Sequence, residues 1–142
     1  MKFLFIPLML CSFFRAKAQQ KAEPVHFVWE QVKTDAVTEL IDRKAVSGQQ
    51  GTIGCFVFKK GAVVPLHQHV NEQYTLILKG SVSITLNGKI YLVKAGEGFI
   101  IPPNLPHQFE ALEEGTIDID FFTPQRTDWL NGTDNYFKSQ KP

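Results

Sequence analysis

Two histidines, His67 and His69, lie one residue apart in the stretch GAVVPLHQHVNEQYTLILKG, and Glu72 and Gln73 follow them. On a strand, residues i and i+2 point to the same face and lie roughly 6.6 Å apart. Two imidazoles at this spacing can bind one metal ion, and Gln73 has the same parity as both. His107 comes 34 residues after Gln73, behind a proline-rich segment that could bring it in from a neighbouring strand. The four residues His67, His69, Gln73 and His107 are therefore a candidate metal site.

The donor types indicate which kind of ion this site would take. Three imidazoles and one amide oxygen suit a single divalent transition metal such as Zn, Ni, Fe, Mn or Cu. One or two coordination positions would stay open for water or substrate, as catalytic metal sites require. Two alternatives remain open from the residues alone. Glu72 could be the ligand in place of Gln73, although its parity points it the other way, and the histidine pair could be polar residues on a solvent-facing strand edge.

The surrounding sequence predicts an all-β domain that would position these residues. From about residue 36 onward, turn signals recur every 8 to 12 residues, which is typical of a sandwich or barrel. Asn87-Gly88 predicts a type I′ hairpin turn, and Pro102, Pro103 and Pro106 predict a stiff loop or an edge. A short helix or packed tail is expected from residue 127. The predicted strands are 39–45, 52–59, 64–69, 73–79, 81–86, 89–94, 98–102, 107–112 and 116–122.

Two spaced motifs resemble the signatures of the cupin family. The first has Gly61, five intervening residues, His67-x-His69, then Gln73 and Gly80; the second has Gly96-x5-Pro102-x-Asn104-x2-His107. Asn104 stands where glycine is usual, and asparagine tolerates a left-handed turn position. Gln73 stands where glutamate is commoner, which makes the site less negative by one charge. The resemblance implies a single-domain cupin, that is, a double-stranded β-helix or jelly-roll barrel of six to eight strands that holds one small ligand.

The last predicted strand narrows the resemblance to one group of cupins. The stretch from Asp120 to Asp128, DFFTPQRTD, is similar to the D-x-F-x-P-x-R-x-D motif of the small pectin-degradation cupins. Those proteins convert unsaturated monouronates, released by pectin and alginate lyases, into linear keto sugars. The acid, the aromatic residue and the arginine of the motif are thought to act in catalysis there. By position, the resemblance implies catalytic roles for Asp120, Phe122 and Arg126 on a sugar-acid substrate.

The same residues also admit simpler interpretations. Asp118 and Asp120 alternate with Ile117, Ile119 and Phe121, and in a half-buried strand the acids would normally face water. Arg126 could pair only with Asp128, Phe122 could belong to the core, and Trp129 and Tyr136 could pin the tail onto the barrel. Two other functions therefore stay open: a cupin dioxygenase acting on a small organic substrate, and a metal- or sugar-binding module without catalysis.

Length and patterning suggest a single exported domain. Residues 1–18 have a basic start, an apolar run and Ala16-Lys17-Ala18, the layout of a cleaved signal peptide. We expect an N-terminal arm or first strand at 19–35, a barrel at 36–124 and a C-terminal tail at 125–142. The mature protein would then be periplasmic or secreted and have no membrane segment after signal cleavage.

The charge and cysteine counts narrow the possible partners. Without its first 18 residues the chain has 12 basic and 14 acidic residues, a net charge of about −2, so no basic patch favours nucleic acid. Cys55 would be the one remaining cysteine, and its apolar neighbours predict a buried small side chain. The apolar arm HFVWEQV has no place inside one small barrel, so we expect a homodimer in which the arm adds to a partner as an edge strand.

Overall fold

The computed structural model describes residues 23–137, which form two antiparallel sheets. The larger sheet has the strand order β1-β2-β3-β10-β5-β8 and the smaller has the order β4-β9-β6-β7. One 3-10 turn, Trp29–Gln31, precedes the strands, and one short helix, α1 (Thr127–Asn131), follows them. The all-β architecture is thus confirmed. The strands are β1 (Asp35–Thr38), β2 (Ile41–Ser47), β3 (Thr52–Phe58), β4 (Val63–His67), β5 (Glu72–Lys79), β6 (Ser81–Leu86), β7 (Lys89–Lys94), β8 (Gly98–Ile101), β9 (His107–Ala111) and β10 (Thr116–Thr123).

The turns predicted from asparagine and glycine residues are present in the backbone. Asn87 and Gly88 have φ values of 49° and 73°, as a type I′ turn requires, and they join β6 to β7. Asn104 has a φ of 61°, so the asparagine occupies a left-handed position in the proline-rich turn before β9. The nine predicted strands match β2 to β10. The described residues contain one strand more, β1, because a turn at Glu39 and Leu40 separates it from β2. Their ten strands exceed the six to eight expected of the barrel.

The space between the two sheets holds the hydrophobic core. Alternate residues of β3, β5, β6, β9 and β10 face this space. Aromatic rings fill much of it, with the centroids of Phe58 and Phe109 4.8 Å apart. β8 can lie against β5 because Gly98 has no side chain, since a Cβ there would approach the Thr75 carbonyl oxygen to 2.0 Å. Fully or nearly buried core residues include Ile41, Phe56, Phe58, Ile77, Val82, Ile84, Val93, Ile101, Phe109 and Ala111.

The outer face of the larger sheet is unusually apolar. Six of its large apolar side chains are 40–62% exposed, and we call them the outer apolar face: Val57, Tyr74, Leu76, Leu78, Ile100 and Phe121. Cys55 is half-buried beside them. The prediction of a buried cysteine was therefore wrong, because β3 turns Gly54 and Phe56 inward and Cys55 outward.

The C-terminal segment folds back onto the barrel. Phe137 is 3% exposed and belongs to the core cluster, and Trp129 and Tyr136 pack against that cluster. The prediction that these two aromatic residues pin the tail is confirmed. Burial of Phe137 and partial burial of Trp129 and Tyr136 hold residues 127–137 over one end of the sheets.

We expect Phe137→Ala to lower the free energy of unfolding by about 3–4 kcal/mol, the usual cost of removing a buried phenylalanine ring. Chemical denaturation monitored by tryptophan fluorescence measures this loss. Phe27→Ala is the matched control, because the Phe27 side chain is 47% exposed in the arm. Equal stability of the two variants would contradict the anchoring role of Phe137.

The predicted signal peptide at 1–18 lies outside the described residues. Of the predicted arm at 19–35, residues 23–35 are described, and they contain the 3-10 turn and, at Asp35, the first residue of β1. The Lys44 ammonium donates to the Trp29 carbonyl oxygen at 3.1 Å and ties this turn to β2. Across residues 23–137, no helix has the length and apolar character needed to cross a membrane.

Candidate metal centre and ligand cavity

Three histidines meet at one end of the smaller sheet. His67 ends β4 and His107 begins β9, and the two are direct partners in the antiparallel register. Their ring centroids lie 4.2 Å apart, and His69, in the turn after β4, lies 5.1 Å from His107. One nitrogen of each ring lies within 4.8 Å of the others. The structure thus brings together the three histidines that the sequence singled out, and they could hold a metal ion.

Backbone carbonyl groups fix the orientation of all three rings. The Nδ1 atoms of His67, His69 and His107 lie 2.8, 3.0 and 2.8 Å from the carbonyl oxygens of Pro65, Asn71 and Leu105, respectively. A carbonyl oxygen only accepts, so each Nδ1 carries the proton and each Nε2 keeps its lone pair. This arrangement is the one that metal-binding histidines usually show.

The unprotonated Nε2 atoms of the histidines have few hydrogen-bond donors around them. His107 Nε2 is buried and has no hydrogen-bond partner among the described residues. Burial lowers the pKa of His67 to about 3, aided by the proximity of His107, and burial lowers the pKa of His69 to about 4. Burial also lowers the pKa of His107. Neutral imidazoles with inward lone pairs are what a divalent cation requires, so the residues present fit a metal.

Gln73 lies directly beside this cluster. Its Oε1 is 3.0 Å from His69 Nε2, while its Nε2 donates to Asp120 Oδ1 at 3.0 Å and to Thr75 Oγ1 at 2.8 Å. The two donated bonds fix the amide with its oxygen toward the histidines. Because His69 Nδ1 already carries the ring proton, the lone pairs of Oε1 and Nε2 face each other, an arrangement that a cation would stabilise.

Glu72 lies on the opposite side of β5. Its carboxylate accepts a hydrogen bond from the hydroxyl of Tyr74, a member of the outer apolar face. Gln73 is 8% exposed and points inward. Of the two candidates left open by the sequence, the structure places Gln73 next to the histidines, as parity indicated.

Asp120 is buried within the same end of the barrel. It is 5% exposed, and its Oδ1 accepts hydrogen bonds from Thr75 Oγ1 and Gln73 Nε2. Burial raises the pKa of Asp120 to about 6, although those two hydrogen bonds and Arg126 act in the opposite direction. The alternative in which the acids of β10 face water is wrong, because Asp120 and Asp118 face inward while Phe121 faces out.

Phe122 and Arg126 lie next to one another, close to His69. The Phe122 ring is 1% exposed and contacts His69 edge-on at 5.4 Å. The Arg126 guanidinium carbon lies 4.8 Å from the Phe122 ring and 4.3 Å from the Trp129 ring. Both aromatic faces therefore hold the guanidinium through cation–π contacts.

The guanidinium of Arg126 is largely engaged by the protein itself. Its Nε and Nη2 donate to the two carboxylate oxygens of Asp128 at 2.9 and 2.7 Å, and Nη2 also donates to the Tyr136 hydroxyl at 3.2 Å. Among residues 23–137 no acceptor for Nη1 is found. The pairing of Arg126 with Asp128 that was considered from the sequence is therefore present. Nη1 is the guanidinium nitrogen that remains to donate to a ligand.

Three residues of the site were missed or misjudged in the sequence. Thr75 has the same parity as Gln73 and Asp118 the same parity as Asp120, so continuing the alternation along β5 and β10 would have found both. Tyr136 stacks on His67 with ring centroids 4.3 Å apart and an interplanar angle of 14°. No local signal in the sequence indicates this contact, since it depends on where the tail folds.

These side chains line one cavity between the sheets, with a volume of about 30 Å³. Its polar lining lies near the histidines and along β10, and its floor is apolar. The polar residues are His67, Gln73, Thr75, His107, Gln108, Asp118, Asp120, Arg126 and Tyr136, and the floor includes Phe56, Phe58, Ile84 and Ile101.

Comparison with known proteins agrees with this geometry. The cupin domain family matches residues 54–119. The pectin degradation protein KdgF of Dickeya dadantii is 28% identical over 107 residues, which cover 74% of this chain and 97% of that protein. The solved structure of KdgF from a Halomonas species superposes with a TM-score of 0.70 at 29% identity, covering 75% of this chain and all of that one.

A second similarity is to a larger protein. Oxalate decarboxylase of Bacillus subtilis is 34% identical over 89 residues, which cover 53% of this chain. Those residues span 23% of the length of the decarboxylase. Most of the decarboxylase therefore lies outside the match.

Proposed function

This chain is a single-domain cupin, and on that premise we propose that it is a metal-dependent isomerase acting on 4,5-unsaturated monouronates. Such sugars arise when polysaccharide lyases break down pectin or alginate. One observation carries the proposal. The histidine cluster and the buried acid Asp120 are joined through Gln73, by contacts of 3.0 Å on each side, and they line one cavity between the sheets.

The proposed reaction moves protons and makes no net change in composition. The substrate ring opens when the C1–O5 bond breaks, which leaves an aldehyde at C1 and an enol at C5. The enol then becomes a ketone as C4 gains a proton and the C5 hydroxyl loses one. Asp120 is the residue placed to carry this proton, because burial raises its pKa to about 6, near the range where an acid can both give and take a proton.

The other cavity residues would bind and orient the sugar. The Nη1 of Arg126 would donate to the substrate carboxylate, and the guanidinium charge would attract it. Phe122 shapes the wall beside His69. When bound by His67, His69, His107 and Gln73, a divalent transition metal would supply a Lewis acid for a carboxylate or hydroxyl oxygen.

Purified protein loaded with each of several divalent metals tests the function. We expect it to accelerate the loss of ultraviolet absorbance of an unsaturated monouronate, without consuming oxygen. A saturated uronate is the substrate control. No acceleration with any metal would exclude the isomerase.

A dioxygenase is the second candidate function. Three neutral imidazoles and one neutral side-chain oxygen make a site without charge, which also suits iron or nickel. Oxygen uptake with phenolic or diketone substrates would distinguish this activity from ketonisation. A binding module without catalysis would bind a sugar acid tightly and convert none of it.

The outer apolar face supports a homodimer. Contiguous exposed apolar surface of this extent usually marks an interaction site, and a second copy offers the same face to it by two-fold symmetry. The arm exposes further apolar side chains, with Val25 84% and Phe27 47% exposed, which a partner could also cover. We therefore propose that two copies pack through their larger sheets, with the arms alongside.

We expect Leu76→Glu to convert the dimer into a monomer, because it would place a charge in the middle of the outer apolar face. Light scattering coupled to size-exclusion chromatography measures the mass. Ile90→Glu is the matched control, since Ile90 is 73% exposed on the other sheet. A wild-type monomer would remove the dimer proposal.

Export is proposed on the sequence alone. An exported isomerase would encounter sugars released outside the cytoplasm. Cell fractionation with an antibody, together with N-terminal sequencing of the purified protein, would place the chain and locate its mature start.

A further inference from the structure

Asp118 is a buried acid for which the proposed reaction gives no role. It is 2% exposed, and its Oδ1 is fully buried without a hydrogen-bond partner among the described residues. In the register of the larger sheet it lies opposite Phe56 of β3 and Ile77 of β5. A buried polar atom without a partner is rare in native proteins and usually has a functional reason.

The surroundings of Asp118 indicate what that reason is. Its side chain lines the cavity together with the apolar floor of Phe56 and Phe58, while Asp120, two residues on, lines the same cavity near the histidines. Burial and the neighbouring Asp120 raise the pKa of Asp118 well above its ordinary value, so the group can donate as well as accept a hydrogen bond.

We propose that Asp118 is a specificity-determining residue that hydrogen-bonds a hydroxyl group at the inner end of a sugar acid. The inference rests on the proposed function, because it assigns a protein contact to the inner end of the same substrate. The two acids are one strand repeat apart, roughly 6.6 Å. A ligand that reaches both is therefore the size of a sugar ring, and a two-carbon acid is too short.

The absence of a protein partner makes this inference testable through stability as well as binding. A side chain kept for ligand binding alone weakens the empty fold, so Asp118→Leu, which keeps the branching at Cγ and is apolar, should raise the melting temperature by about 3 °C or more. A fall in melting temperature with unchanged metal content would show that Asp118 has a structural role instead, and would overturn the proposal.

Ligand affinity is measured by calorimetry with D-galacturonate, a saturated sugar acid that is not converted, on metal-loaded protein. We expect Asp118→Leu to weaken binding at least tenfold. Asp118→Asn, which keeps a donor and an acceptor, should change it less than threefold. Asp42→Asn, on the exposed side of β2, is the control. Undetectable binding by the wild type, or equal affinities for wild type and Asp118→Leu, would overturn the inference.

The kinetic assay keeps this inference separate from the function. If the wild type ketonises the unsaturated sugar, Asp118→Leu should raise KM at least tenfold while its metal content stays at the wild-type level. Ketonisation with the same KM in both proteins would leave the isomerase standing and remove the role of Asp118. Lack of ketonisation, with galacturonate binding still dependent on Asp118, would remove the isomerase and leave the sugar-acid subsite.

Discussion

Replacing His107 with alanine is expected to remove the bound metal and to lower turnover at least about a hundredfold. The Nε2 of His107 is buried and has no protein partner among the described residues, and one ring nitrogen each of His67, His69 and His107 lies within 4.8 Å of the others. A Lewis acid contributes several kcal/mol to such a reaction, and each 1.36 kcal/mol corresponds to a tenfold rate change. Loss of one of three imidazoles would weaken the metal site enough to forfeit that contribution.

The measurement is metal content by elemental analysis, alongside the uronate assay. His69→Ala should behave in the same way. Because His69 is less buried than His107, its removal leaves a smaller void in the core, so a loss of metal in this variant is not explained by destabilisation of the fold. His26→Ala is the control, since His26 is exposed in the arm. Full metal occupancy in both site variants would contradict a histidine-held ion.

Strand parity accounts for the part of the site that the sequence could predict. Gln73 lies on the inward face of β5, and Asp120 and Phe122 lie on that of β10, because alternation is a local property of a strand, whereas His67 ends β4 and His69 lies in the turn after it. Strand parity alone was enough to choose Gln73 over Glu72 as the candidate metal ligand. The same rule, applied to the acids of β10, gave the wrong alternative. A solvent-facing acid is the common case, but in β10 both acids face inward, while Ile117 and Ile119 are half-buried and Phe121 is exposed.

Contacts between distant segments account for most of the rest. The pairing of His67 with His107 depends on β4 lying beside β9. The proline-rich segment before His107 and the family resemblance both indicated it, whereas strand periodicity did not. The stacking of Tyr136 on His67 and the bidentate pairing of Arg126 with Asp128 depend on the path of the tail. Neither periodicity nor turn chemistry encodes that path, because it is set by which apolar side chains the barrel end can bury.

The fold was predictable further than the site. The recurrence of turn residues located nine of the ten strands in the described part of the chain, since glycine and asparagine occupy the left-handed positions that the turns require. β1 was not predicted because its four residues show no alternation, and Val37 is its one buried side chain. The outer apolar face also breaks the usual rule of an apolar inner and polar outer surface, which is why Cys55 was assigned to the core.

Asp120→Asn should reduce turnover by about 10²- to 10⁴-fold, the usual contribution of a general acid–base group, while metal content and KM stay close to wild type. Asparagine has the shape of aspartate and keeps an Oδ1 that accepts from Thr75 and Gln73. It therefore preserves the two hydrogen bonds that hold Gln73 toward the histidines, and it removes only the ability to take up and release a proton.

This separation of proton transfer from metal binding makes Asp120→Asn more informative than an alanine substitution. Alanine would also release the Gln73 amide, whose Nε2 lies 3.0 Å from Asp120 Oδ1, and could lower metal affinity indirectly. Asp42→Asn controls for a change of charge on the same sheet, and near-ultraviolet circular dichroism checks the aromatic packing around Trp129. If Asp120→Asn binds metal normally and retains more than about a third of the wild-type turnover, another residue moves the proton. Asp118, on the same face of β10, would then be the next group to test.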